Sequence, residues 1–236
     1  LLDQLIRSWS GWETSRFSRQ TGTVGLIPAD RTMTGPVAAY AMTQPRYLKA
    51  TDMDRVKVVE DFNLGWELGV EGGPLPEALG SDRDRWALAA SLQRGMRLGP
   101  DRFALVQAVA DSRALDGRLD NAVLTGSMNL FWRTDWRWRQ TLVAHAEYTA
   151  TKNLDGERQL NLGGDTGLRG YKNNAFQGAR AAVVNLEDRL FFDANVLRLM
   201  HVGAVGFIEA GSAIPQNSRF ARAVWKADLG AGLRLS

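Results

Sequence analysis

The chain has 236 residues, 44% of them hydrophobic, with 24 glycines and 8 tryptophans, a composition that can build one large folded domain and excludes a disordered segment. Lys plus Arg number 29 against 26 Asp plus Glu, and this net charge of +3 is spread without a basic block, so there is no nucleic-acid footprint. With no cysteine in the chain, disulfides, thiolate catalysis and Cys-ligated metals are excluded as well.

No stretch reaches the roughly 18 consecutive apolar residues of a spanning helix, and the opening "LLDQLIRSWSGWE" lacks the basic-then-apolar pattern of a signal segment. What the chain has instead is alternation. Ten strands are predicted, near residues 14–26, 35–48, 59–72, 84–97, 102–113, 121–133, 137–151, 178–192, 199–212 and 223–235. In the third, Phe62, Leu64, Trp66, Leu68 and Val70 oppose Asn63, Gly65, Glu67 and Gly69, which is period two. The sixth repeats the pattern with Leu124, Gly126, Met128, Leu130 and Trp132 on one face, and the seventh with Leu142, Ala144, Ala146, Tyr148 and Ala150.

These strands exceed the five or six residues usual in globular sheets and match the roughly 9–11 residues of a tilted membrane strand. From the third strand onward, short links starting at Arg97, Arg133 and Phe192 separate long ones starting at Gly72, Ser112 and Gly211 and the glycine-rich segment near 160–175. Transmembrane β-barrels alternate turn lengths in this way. Trp132, Trp136 and Trp138 flank one short link, as an interfacial aromatic girdle would. Periodicity by itself leaves a soluble β-sandwich open, in which one face meets a core and the other water, and the small residues Ala104, Ala108 and Ala110 suit either.

The segment "LGGDTGLRGY", followed by "NLEDRLFF" and then "GFIEAG", resembles the BamA/TamA-type superfamily of outer-membrane assembly barrels, also called the bacterial surface antigen family. Members carry an Arg-Gly-Phe/Tyr triplet at the tip of a loop folded into the lumen, then a Glu-x-Arg strand, then a Phe-x-Asp/Glu-x-Gly strand. The matching positions are Arg169, Gly170 and Tyr171, then Glu187 and Arg189, then Phe207, Glu209 and Gly211. The resemblance implies an all-β, antiparallel transmembrane β-barrel of a sixteen-stranded family, of which about ten strands lie in this chain. Residues 1–236 would then be part of one barrel domain with a lumen-inserted loop at 152–177. Counted against that family, the ends of the barrel and any upstream periplasmic domains are expected to lie outside the chain.

Strand phase agrees with the resemblance. Glu187 shares a face with Asn185 and Arg189, and Glu209 shares one with Phe207 and Gly211, so both carboxylates are expected to point inward. Two inward acids need a cation, and Arg169, with a planar guanidinium suited to forked contacts, is the expected partner. This constellation reads as a structural loop lock. No catalytic residue, cofactor or metal is implied: His145 and His201 lack a ligand spacing, "GGDTGLRG" lacks the Lys-Ser/Thr of a phosphate loop, and "TGSMN" lacks the glycine spacing of a nucleophile elbow.

The implied function is assembly or insertion of outer-membrane proteins, or polypeptide translocation, in the bacterial outer membrane. Its partners would be outer-membrane lipid, client polypeptides and periplasmic accessory proteins, with no nucleic acid. Two alternatives stay open: a two-partner-secretion translocator, and the barrel anchor of a surface enzyme such as a patatin-like phospholipase.

Overall fold

The computed structural model describes residues 3–15, 30–135, 138–156, 158–196, 200–216 and 218–235. The strands are β1 (Asp3–Ser15), β2 (Arg31–Thr43), β3 (Tyr47–Thr51), β4 (Val59–Asn63), β5 (Trp66–Leu75), β6 (Arg85–Gly99) and β7 (Arg102–Leu115). They continue with β8 (Arg118–Thr134), β9 (Arg139–Lys152), β10 (Leu160–Leu162), β11 (Phe176–Gly178), β12 (Arg180–Val196), β13 (Met200–Ile214) and β14 (Lys226–Leu235). Ten of them form one antiparallel sheet in the order β1-β2-β5-β6-β7-β8-β9-β12-β13-β14, while β3–β4 and β10–β11 are separate hairpins. The sheet is open. Among the described residues β1 and β14 are its two edges and do not pair, so the ten strands form a single open antiparallel sheet and no closed barrel.

Most of the strand predicted at 14–26 lies outside the described residues, and two expectations need correction. The one predicted at 59–72 is two strands, β4 and β5, in different sheets. Continuous alternation hid the break because Leu64 and Gly65 keep the phase while the chain changes sheets; Gln44 N donates to Trp66 O at 2.8 Å and Leu64 N to Arg46 O at 2.8 Å, closing the hairpin's base. The link after Ser112 is a tight turn rather than a long loop. Asp116 and Gly117 sit at φ 50° and 70°, the left-handed pair that a two-residue hairpin turn requires, and β7 and β8 pair up to Leu115 and Arg118.

Register fixes which side chains share a face. Leu88 and Leu92 on β6, Val106 on β7, Leu124, Met128 and Trp132 on β8, Leu186 on β12, Ile208 on β13 and Leu229 and Leu233 on β14 all lie on one face. They are 37–79% exposed. Ala104, Ala108 and Ala110 alternate into the same face. Asn129, Thr141, His145, Asn185, Glu187 and Glu209 lie on the opposite, covered face. A soluble one-sided sheet has the reverse arrangement, apolar residues covered and polar ones out. Two charged residues depart from the pattern: Asp188 faces outward beside Leu142 and Gly206, its Oδ1 without a hydrogen-bond partner, and Arg94 shares that face with Trp66 and Val106.

The covered face is filled by two insertions. The β3–β4 hairpin packs Ala50 and Met53 onto Phe103, Phe131 and Val143, with Phe62 and Leu64 against the same cluster. The ring centroids of Phe62 and Phe103 are 4.8 Å apart, and those of Phe103 and Phe131 4.9 Å. Phe62 and Leu64 therefore face inward, whereas Trp66, Leu68 and Val70, paired with Arg94, Leu92 and Ala90, belong to the outward face. The second insertion, the glycine-rich loop, buries Leu162 and Leu168 against Val183. Arg113 on β7 donates to Asp155, which also pairs with Arg31 on β2 at 3.1 Å. Neighbouring strands lie about 4.8 Å apart, so contacts spanning several strands across this face require the sheet to curl around its contents.

Candidate functional site

The loop between β9 and β12 descends on a short stem, β10 pairing with β11 from Leu160↔Gly178 to Leu162↔Phe176. Its tip is a compact knot: Thr166 N and Leu168 N both donate to Gly163 O at 3.0 Å, and Tyr171 N donates to Leu168 O at 3.0 Å. Gly167 adopts φ 101°, a conformation costly for any residue with a Cβ, and it packs on Val183. Leu168 is completely buried. This apolar anchor leaves the next residue, Arg169, aimed at β12 and β13.

Arg169 meets both carboxylates. Its Nε donates to Glu209 Oε1 at 2.5 Å, its Nη2 to Glu187 Oε1 at 2.5 Å, and its backbone N–H to Glu209 Oε2 at 2.6 Å. The guanidinium carbon lies 3.7 Å from the centre of the Phe207 ring, within cation–π range. Glu209 is 1% exposed and also accepts from Asn185 Nδ2 at 2.5 Å, so a buried charge receives a cation and two further donors. Burial works against the charge of Arg169, but its hydrogen bonds to Glu209 and Glu187 outweigh this and hold the guanidinium above its ordinary range.

Gly170 and Tyr171 extend the contact to β14. Gly170 N donates to Asp228 Oδ2 at 3.1 Å, and a Cβ on Gly170 would fall 2.8 Å from the Asp228 Cβ, so the close approach needs glycine. The Tyr171 hydroxyl donates to Ala227 O at 3.2 Å, and its ring stands edge-on to Phe176. Gly211 lies beside Leu162 and Leu168, where a Cβ would come within 3.1 Å of Leu162. All eight residues singled out in the sequence thus converge at one place.

The site also has a half that sequence reading missed. Arg189 Nε donates to Glu187 Oε2 at 2.8 Å, while its Nη1 donates to Met53 O at 2.8 Å and Asp54 Oδ1 at 3.1 Å. Asp54 also accepts from Arg234 Nη2 at 2.9 Å. Deeper in the hairpin, Asp52, 2% exposed, accepts from Arg139 at 3.3 Å, and its carbonyl accepts from the Thr141 hydroxyl at 2.6 Å. The loop and the hairpin enter from different connections and meet at Glu187–Arg189, so one charge relay runs Glu209–Arg169–Glu187–Arg189–Asp54–Arg234. Its three acids balance its three bases. The available signal was a pair of short alternating runs around the polar stretch "TDMDRVK" at residues 51–57.

His145 Nδ1 lies 2.8 Å from Asn129 Oδ1, a polar pair on the covered face. Among the described residues there is no His/Cys/Asp/Glu group placed to hold a metal ion. The arrangement is one of charge compensation and anchoring, and its acids already receive protein donors.

Compared with known proteins, the chain matches no family model, no curated protein and no solved structure.

Proposed function

We propose that the chain belongs to the membrane-spanning portion of a bacterial outer-membrane β-barrel of the BamA type, one that assembles or inserts outer-membrane proteins or moves polypeptides across that membrane. The observation that carries the membrane assignment is the inverted sheet: long antiparallel strands with a row of exposed Leu, Ile, Met and Trp outside and a polar face wrapped around a lumen-bound loop. Water penalises the first surface and a bilayer rewards it. Asp188 on that surface weighs the other way, at a cost the apolar row must offset.

The Arg169 contacts support the finer reading. A loop held by Glu187 and Glu209 and a hairpin held by Arg189 and Arg234 brace the inside of the wall. This interior is also crowded: an extended chain passing through it would have to displace both insertions. That favours a route in which a client strand pairs with a sheet edge over threading through the lumen. The mechanism is non-enzymatic; the Arg169 cluster is a lock.

Depletion of the protein in its native cells, with outer-membrane barrel proteins quantified by mass spectrometry, tests the proposal. Several barrel proteins should fall together. Unchanged barrel proteins with loss of one secreted polypeptide would replace insertion by dedicated secretion.

A further inference from the structure

At the base of the β3–β4 hairpin lies a cavity of about 440 Å³ lined by Arg46, Tyr47, Leu64, Arg94, Met96 and Arg97. Its three arginines line it from both sides of the sheet rim, Arg94 from the outward face of β6 beside Trp66 and Arg97 from the inward face opposite Phe103, and together with Arg46 they make a local excess of positive charge. Among the described residues none of these arginines forms an ion pair. Arg97 donates only to the carbonyls of Gly99 and Pro100 in its own turn, and Arg94 stacks over the Trp66 ring, 4.7 Å from its centre. The nearest acid on β5, Glu67, accepts from Asn63 Nδ2 at 2.8 Å.

The place is built rather than accidental. Asn63, 8% exposed, uses its Oδ1 to accept both Arg46 N and Gly65 N at 2.9 Å, fixing the two sides of the hairpin base. Gly95 lets β6 press against Leu64, since a Cβ there would fall 2.4 Å from the Leu64 Cα. Tyr47, Leu64 and Met96 supply the apolar part of the wall. Met96 and Trp66 continue onto the exposed outward face with Leu92 and Leu98, and Tyr47 and Trp66 are residues that suit a membrane–water boundary.

We infer that this cavity binds the phosphate of an anionic phospholipid headgroup at the rim of the sheet. Guanidinium groups match phosphate oxygens through forked, charge-assisted hydrogen bonds, and basic pockets beside apolar membrane surfaces take such headgroups. The apolar wall accommodates the lipid's upper acyl region, which a free phosphate does not possess. The inference rests on the membrane assignment; the anion chemistry of the arginines does not.

The test compares the purified full-length protein with its Arg46→Gln/Arg94→Gln variant. Retained lipid is measured by native mass spectrometry after exposure to phosphatidylglycerol or phosphatidylcholine vesicles, with inorganic phosphate and glycerol phosphate as competitors. Arg133→Gln, at the turn where Arg133 pairs with Asp101 at 2.8 Å, is the control for charge lost elsewhere on the rim. With two charge-assisted contacts removed, phosphatidylglycerol retention should fall at least about tenfold in the double variant and stay unchanged in Arg133→Gln. Phosphatidylcholine should bind weakly throughout. Equal retention by parent and double variant, with the protein still in the bilayer, overturns the site and leaves the membrane assignment standing. Competition by inorganic phosphate as effective as that by phosphatidylglycerol, in a protein that does not enter bilayers, overturns the lipid inference together with the assignment and reduces the cavity to a soluble-anion site.

Discussion

Arg169→Ala is the sharpest perturbation of the relay. It removes both charge pairs of Arg169 and its contact with Phe207, but not everything: Glu209 keeps the Arg169 backbone N–H and Asn185, and Glu187 keeps Arg189. Breaking a buried pair costs about 3–5 kcal/mol because the surviving charge is stranded. The Glu209 carboxylate is fully buried, whereas the Arg169 side chain is 37% exposed, so solvent screening puts the cost at the lower end, about 3 kcal/mol. Spread over a domain of this size, each kcal/mol shifts a melting temperature by about 2–4 °C. The midpoint of heat-induced loss of folded mobility on unboiled gels should drop by about 6–12 °C, and backbone amides of residues 163–175 should exchange faster. Arg169→Lys should recover only part, since an ammonium cannot make the forked contact. In a double-mutant cycle, Arg169 should couple more strongly to Glu209 than to Glu187, which retains a second cation. Unchanged heat resistance and unchanged exchange in the loop would show that Arg169 does not hold the loop.

Lysine placed at Leu68 or Ile208, on the outward face, should reduce membrane assembly by about 2–4 kcal/mol if the site is near the bilayer midplane; the yield of membrane-inserted protein measures this, and equal yields would contradict it. Lysine at Leu64 should instead disturb hairpin packing. Met53→Ala, at a position 3% exposed, should cost about 2–5 kcal/mol and loosen the 47–63 hairpin, readable as faster proteolysis there. In the loop before β6, hydrogen bonding from Arg85 holds the Asp82 carboxyl down at about 2. A depressed folded-state value stabilises the fold above the unfolded pKa and loses that contribution as pH falls from about 4 to about 2. Thermal scans of the parent should therefore show an acid limb in this window that is smaller in Asp82→Asn, the difference being on the order of 1 kcal/mol after screening.

What the sequence disclosed was governed by phase. Leu124 to Trp132 and Leu142 to Ala150 alternate without interruption because each strand has one apolar and one polar environment, and their register follows directly. Glu187 and Glu209 could be aimed inward on the same ground, and Arg169 could be matched to them by charge. The β3–β4 hairpin was illegible because Phe62 and Leu64 serve an interior cluster while Trp66 and Leu68 serve the outward face, and the alternation runs through both without a break. Asp54 and Arg234 are 180 residues apart, a pairing that no local pattern encodes. The Asp116–Gly117 turn was legible in principle, since Asp-Gly between alternating runs is a strong hairpin signal; the polar residues around it suggested a loop.

The most direct test of the membrane assignment is a nitroxide scan along β12, from Ala182 to Leu190, in the full-length protein reconstituted into lipid bilayers. Collision rates with oxygen, which concentrates in the bilayer, and with a water-soluble nickel chelate report each side chain's surroundings. Period two is expected: positions 184, 186 and 190 accessible to oxygen and shielded from nickel, and positions 185, 187 and 189 shielded from oxygen. Nickel access at Val184 and Leu186 equal to that of a water-exposed loop position such as Asp116 would contradict it.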